Sequence, residues 1–363
     1  MVLIAALAGT STCDDDGQMT HPGDVTTLPV LDLRADPEHL RTGLREAAHE
    51  VGFFYLIGHQ VPQALADRVL AAARRLFALP QADKDAVAMV HSPHFRGYTR
   101  LGGELTRGAV DWREQIDVGP EHPPIGGPGK PDYLWLQGPN QWPAALAELP
   151  VVIAEWDAAL SEVGRTLLRH WAASLGSRAD VFDEAFAEKP ATLIKIVRYP
   201  ARAATSQGVG AHKDAGVLTL LLAEPGSTGL QVRRRDGVQD WIDVPPLAGA
   251  FIVNIGELLE VATRGYLRAT EHRVKLGHSA SDRISVPYFF NPRLDAQIPM
   301  LTLPDELARR ARLMEDPSDP IFTGYGRNAW KSRLRAHPDV AAAHGYSAGR
   351  VTYENSVLGS TDE

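Results

Sequence analysis

The sequence predicts a mainly β protein with helical flanks, its core a sandwich or jelly roll set between a mostly helical N-terminal region and C-terminal helices. Three observations carry this. From Thr192 onward, short apolar or alternating runs succeed one another at 192–199, 218–222, 230–232, 241–244, 251–253, 272–276 and 284–290. Turn-forming residues part them, namely Gly208, Gly210, Gly226, Asp236-Gly237 and Asp282, each supplying backbone conformations that close a loop. Before that stretch, and again from Pro304, apolar residues recur at helical spacing.

In chain order, 26–33 alternates around Pro29 as a short strand, and 38–51 carries Leu40, Leu44, Ala47, Ala48 and Val51 as the stripe of an amphipathic helix. The run Phe53-Phe54-Tyr55-Leu56-Ile57 reads as a buried strand, and Pro62 opens a helix that Pro80 stops. The Gly- and Pro-rich segment 91–130 reads as loops, and 143–175 as a long helix ended by Gly176. Asp236-Gly237 between two strands predicts a hairpin. The resulting division is 1–25 as a disordered tail or start-site overrun, with Met19 the alternative start. Residues 26–180 form a helical region packed on the barrel, 181–300 the jelly-roll core, and 301–363 a helical segment and tail.

The 363 residues suffice for a large core without covalent staples. A lone cysteine, Cys13, excludes internal disulfides and multi-thiolate metal sites and fits a reducing compartment. The net charge of −8 argues against nucleic acid or an anionic membrane as main partner. No run approaches the ~20 apolar residues of a membrane span, and 2–7 lacks the basic flank of a signal peptide. The expectation is a cytoplasmic protein acting on a small-molecule substrate; oligomeric state is not set by the sequence.

His212-Lys213-Asp214 is the first suggestive triplet, because residues i and i+2 of an extended strand share a face and can grip one ion. His272, in a later strand, is the best third ligand. Two imidazoles and one carboxylate on one face of an octahedron leave three open positions, the arrangement of non-haem Fe(II) sites that activate O2. Arg283-Ile284-Ser285 offers a guanidinium and a hydroxyl on one strand face, a match for a carboxylate. The phenol of Tyr199 could reach the same carboxylate. A second triplet, His337-Pro338-Asp339, sits in a polar segment that Pro338 keeps from pairing, so it is set aside as a metal site. The basic stretch Arg327, Lys331, Arg333 and Arg335 reads as solvated surface, as does Arg233-Arg234-Arg235 at a hairpin tip. Phe95, Tyr98, Phe289 and Phe290 could line a substrate pocket or simply be core.

Taken together these residues resemble the isopenicillin-N-synthase-like branch of the 2-oxoglutarate/Fe(II) dioxygenases, over about residues 27–291. The markers run in order: Leu28-Pro29-Val30-Leu31-Asp32-Leu33, Gly52 to Leu56 with Gly58-His59, Gly97-Tyr98, Asp111-Trp112-Arg113-Glu114, Gly138 to Pro143, Asn254-Ile255-Gly256-Glu257 and His272-Arg273-Val274. The resemblance implies a double-stranded β-helix with His212, Asp214 and His272 as iron ligands. It implies Arg283, Ser285 and Tyr199 as holders of the far carboxylate of 2-oxoglutarate, and oxidation, chiefly hydroxylation, with release of succinate and CO2. Two departures, Val197 in place of an Asn and Glu257 in place of an Asp, are read as clear of the ligands. The alternatives are a 2-oxoglutarate-independent Fe(II) oxidase that cyclises or desaturates, ethylene formation, a metal-binding module without turnover, and a zinc hydrolase, for which the Arg-x-Ser pair has no obvious job.

Overall fold

A computed structural model describes residues 28–201, 205–234, 241–277, 281–313, 316–317 and 319–346. The expected N-terminal tail and the Asp236-Gly237 turn lie outside the described residues. Strands β1 (Val30–Asp32) and β2 (Phe53–Ile57) pair in parallel around helix α1 (Pro37–Glu50). The Asp36 side chain caps α1 by accepting from the N–H groups of Glu38 and His39, and Pro37 opens its first turn. Helix α2 (Gln63–Ala78) follows, then the short α3 (Gln81–Asp85).

The segment 91–130 is not all loop. It holds β3 (Gly97–Thr99), the hairpin β4 (Leu105–Thr106) and β5 (Ala109–Val110), and β6 (Glu114–Val118). Sequence patterning misses β6 because its inward positions, Gln115 and Asp117, are polar although fully buried. Helix α4 begins at Leu149 rather than near 143 and runs to Ser174. Gly164 lets it approach the sheet: a Cβ there would meet the Phe290 ring at 2.6 Å.

The remaining strands are β7 (Leu193–Tyr199), β8 (Gln207–His212), β9 (Leu218–Ala223), β10 (Leu230–Arg233), β11 (Trp241–Asp243), β12 (Phe251–Ile255), β13 (His272–Lys275) and β14 (Arg283–Phe290). Helix α5 (Glu257–Ala262) interrupts them, and α6 (Asp305–Ala308), α7 (Tyr325–Ala336) and α8 (Pro338–Ala343) close the chain. Strand β8 runs straight through Gly208 and Gly210, which the sequence reads as turn residues. Eight strands form one sheet in the order β1-β2-β12-β9-β14-β7-β6-β3, and four form a second, β11-β10-β13-β8.

Side-chain parity sorts the faces. Ile116, Val118, Ile194, Ile196 and Val286 join the helices in the larger core. Phe53, Tyr55, Val197, Tyr199 and Ile252 of the large sheet meet Val209, Leu230, Val232 and Val274 of the small one in a second core between the sheets. This is the expected jelly roll, with four strands of its large sheet drawn from before residue 120.

Candidate active site

His212 ends β8 and His272 begins β13, and the antiparallel register sets them directly opposite. Their ring centroids lie 4.4 Å apart. Asp214 is not on the strand, as the i, i+2 argument assumed; it lies two residues past the end of β8, in the loop to β9. The loop is gripped from beyond by the start of α5: Glu257 N–H donates to the Asp214 carbonyl at 2.7 Å and Leu258 N–H to that of Gly216 at 2.9 Å. Glu257 therefore does touch a proposed ligand, through its backbone. Gly256 is required at this contact, since a Cβ would lie 2.1 Å from the Gly216 carbonyl oxygen.

Hydrogen bonds set which atoms face inward. Nδ1 of His212 meets the Gly210 carbonyl at 2.8 Å, and Nδ1 of His272 the Thr270 carbonyl at 3.2 Å. Carbonyls only accept, so the protons sit on Nδ1 and each Nε2 presents a lone pair. Those Nε2 atoms lie 3.6 and 3.8 Å from Asp214 Oδ1. Oδ2 is occupied elsewhere, accepting from Thr219 Oγ1 at 2.6 Å and Asn254 Nδ2 at 2.8 Å. One nitrogen from each histidine and one oxygen thus converge, all within 4.8 Å of one another, and can hold a divalent cation.

The ionisation of Asp214 and His272 agrees with this, while that of His212 runs the other way. Burial opposes ionisation of Asp214, but the two imidazoles and the Thr219 hydroxyl outweigh it and hold the carboxyl well below its usual range. Burial, and then the neighbouring His212, push His272 down to about 4, which keeps it neutral and able to ligate. For His212 burial also opposes the charged form, yet the Asp214 contact raises it above its ordinary value.

Arg283, Ser285 and Tyr199 lie on the facing sheet. Arg283 pairs in register with Tyr199 and stacks its guanidinium 4.6 Å from that ring. It is 8% exposed, yet Nε and Nη1 have no hydrogen-bond partner among the described residues. A buried guanidinium with two orphaned donors is costly unless an anion fills the place, so the residues fit a carboxylate. Ser285, two residues on, shares the inner face and is 2% exposed.

Other sequence readings change. Phe95, Tyr98 and Phe290 pack in the outer core, and only Phe289 has the parity of the inner face. His337, in the segment read as polar, is 1% exposed and lies 3.5 Å from Glu104. Arg333 is not solvated surface, because it reaches Asp117, at 2.5 Å, inside the fold. Sequence reasoning assigned no role to Thr219, Asn254 or Asp111. Asp111 is fully buried and accepts from the Gly210 N–H at 3.1 Å, while the Gly210 carbonyl orients His212. The pairing register slips by one residue here, since Val274 faces Val209 where His272 faces His212.

Comparison with known proteins agrees with this geometry. The family described as "non-haem dioxygenase in morphine synthesis N-terminal" matches residues 28–145, and the "2OG-Fe(II) oxygenase superfamily" matches residues 191–292. A 2-oxoglutarate-dependent dioxygenase of Dothideomycetidae sp. (strain 11243) is 34% identical over 341 residues, spanning 86% of this chain and 90% of that protein. A homoarginine-6-hydroxylase of Glycine max is 31% identical, covering 76% of this chain and 88% of its own. Among solved structures, a putative 2OG-Fe(II) oxygenase family protein from Caulobacter crescentus superposes with TM-score 0.65 at 27% identity, over 79% of this chain and 98% of that one. JOX2 in complex with 2OG, Fe and JA gives 0.66 at 26%, over 88% and 89%.

Proposed function

The chain belongs to the 2OG-Fe(II) oxygenase superfamily, and on that premise we propose that it hydroxylates a small-molecule metabolite at an Fe(II) ion held by His212, Asp214 and His272. The enzyme is a 2-oxoglutarate-dependent dioxygenase using Fe(II) and O2. The observation that carries the residue assignment is the convergence of two Nε2 lone pairs and Asp214 Oδ1 on one point. Relatives named as homoarginine hydroxylases, and solved neighbours in complex with JA or thymine, support oxidation of a small molecule. They favour this reading over the cyclising and ethylene-forming alternatives.

When bound, Fe(II) with 2-oxoglutarate would supply O2 activation and the transfer of one oxygen atom to the substrate, with succinate and CO2 as coproducts. The chain's own residues do the holding. The Nδ1–H contacts of His212 and His272 with backbone carbonyls lock both rings before metal arrives. Thr219 and Asn254 engage the outer oxygen of Asp214 and so leave one inward oxygen that would hold the ion. Arg283, with Ser285 and Tyr199 beside it, neutralises the far carboxylate of 2-oxoglutarate across the barrel from the metal. The surrounding inner core excludes water from the reaction.

The test is an anaerobic titration of the Fe(II) protein with 2-oxoglutarate. A weak visible charge-transfer band is expected, lost in Asp214→Ala. A metal-stripped Asp214→Ala protein that turned over at the wild-type rate on adding iron would sink the assignment.

A further inference from the structure

The inner face of β6 and β7 is built from ions. Register sets Gln115 against Val197 and Asp117 against Lys195, and Val197 belongs to the core between the sheets. Gln115, Asp117 and Lys195 therefore point to the same side as Tyr199. Arg113 adjoins them, and Asp111, which it contacts, accepts from the Gly210 N–H two residues before His212. Glu104 accepts from Arg113 Nη2 at 2.8 Å and Lys195 Nζ at 2.7 Å; Asp117 meets Lys195 at 3.2 Å and Arg333 at 2.5 Å. Asp111 contacts Arg113 at 3.3 Å. Among these directly paired groups three carboxylates face three cations, so the wall is electrically balanced.

Besides His337 Nε2, which faces Glu104, two atoms on this wall have no hydrogen-bond partner among the described residues, and they are of opposite kind. Both carboxylate contacts of Arg113 run through Nη2, while Nε has no partner, in a residue 9% exposed. Gln115 is fully buried and its Nε2 donates to Asp117 Oδ1 at 2.6 Å. A carboxylate oxygen cannot donate, so the amide cannot be turned over, and Oε1 is left as an acceptor without a donor. Buried polar atoms left unmade are costly, and each calls for a partner.

We infer that the primary substrate is a small amino-acid-like zwitterion whose carboxylate is received by Arg113 and whose ammonium is received by Gln115 Oε1. A zwitterion completes both orphaned atoms and leaves the balanced wall balanced, whereas a bare anion leaves one of them buried and unpaired and an apolar molecule leaves both. This rests on the oxygenase reading above and adds the substrate class to it.

The experiment uses the Fe(II)- and 2-oxoglutarate-loaded full chain. The charge-transfer band is recorded first, before any substrate is added; its absence would count against the oxygenase reading itself. The free amino acids, acidic, neutral and basic, are then added anaerobically alongside amine-free apolar carboxylic acids. The samples are next exposed to O2 and scored for succinate and an oxygenated product. The inference expects at least one amino acid to perturb the band and be oxidised, its methyl ester and N-acetyl derivative each binding at least tenfold more weakly. Gln115→Leu and Arg113→Lys should raise KM for that amino acid at least tenfold with the band retained. Gln115→Met serves if the leucine variant does not fold, since it keeps the length of the side chain without the acceptor oxygen, with the same expectation for its KM. With the band present, three results overturn the inference: silence across the panel, turnover of amine-free acids alone, or an Arg113→Lys effect that falls on the KM for 2-oxoglutarate instead.

Discussion

Thr219→Val removes one of two hydrogen bonds that restrain the outer oxygen of Asp214, and its effect on metal binding follows from the geometry. The Thr219 hydroxyl donates to Oδ2 at 2.6 Å, and Asn254 donates to the same atom at 2.8 Å. A hydrogen bond to an ionised acceptor contributes about 1.5–3 kcal/mol. Asn254 still holds the carboxylate in the single variant, so the lower end applies: about 1.5 kcal/mol, or roughly tenfold in metal affinity. Valine keeps the shape of threonine, and at 3% exposure the site leaves no room for water to replace the hydroxyl. Asn254→Leu should act alike. The two bonds share one oxygen and are coupled, so the double variant should lose more than the product of the singles, about a hundredfold or beyond. Anaerobic Co(II) titration followed by its visible ligand-field bands reads the affinity, and unfolding of the metal-free samples separates it from damage to the fold. If Thr219→Val binds Co(II) within twofold of wild type, and the double variant is no worse than either single, these bonds do not set the ligand.

The other predictions concern more distant parts of the site. Arg283→Gln should raise KM for 2-oxoglutarate by about a hundredfold, the loss of a charge-assisted pair, with metal affinity within twofold; an unchanged KM would mean the guanidinium serves something else. Asp111→Ala frees the Gly210 amide and with it the carbonyl that orients His212, so metal affinity should fall roughly tenfold, and unaltered Co(II) bands would contradict this. Burial holds His337 down to about 4, against about 6.5 when unfolded. The unfolded chain thus takes up the proton first as pH falls, so His337's contribution is present above pH ~6.5 and lost towards ~4. Urea unfolding should show about 2 kcal/mol of this loss between pH 7 and 5, missing in His337→Gln; equal pH slopes in the two proteins would refute it.

What the sequence disclosed depends on how local each signal is. The strands whose one face is apolar, such as β9, β12 and β14, declare themselves by composition, and the ligand types by the chemistry they share. Strand β6 does not, because its inward residues, Gln115 and Asp117, are polar and break the apolar alternation. Strand β8 is hidden by the glycines that allow its close approach: a Cβ at Gly210 would meet Thr106 at 2.9 Å. The buried pairs Lys195–Glu104 and Arg333–Asp117 join residues 91 and 216 positions apart, a separation that one sequence cannot link. For the same reason Arg333 reads as surface, where in the structure α7 carries it inward. Asn254 stood inside a recognised marker, but its role rests on a carboxylate 40 residues earlier.

The division of labour between the two sheets has an evolutionary consequence. The imidazoles hang from the four-stranded sheet, while the groups proposed to choose the substrate stand on β6 and its approach, at the far margin of the eight-stranded one. Lineages descended from this scaffold can therefore acquire new diets by exchanging residues at positions 113 and 115 while the metal-holding side chains stay as they are. A laboratory redesign can begin at the same two codons.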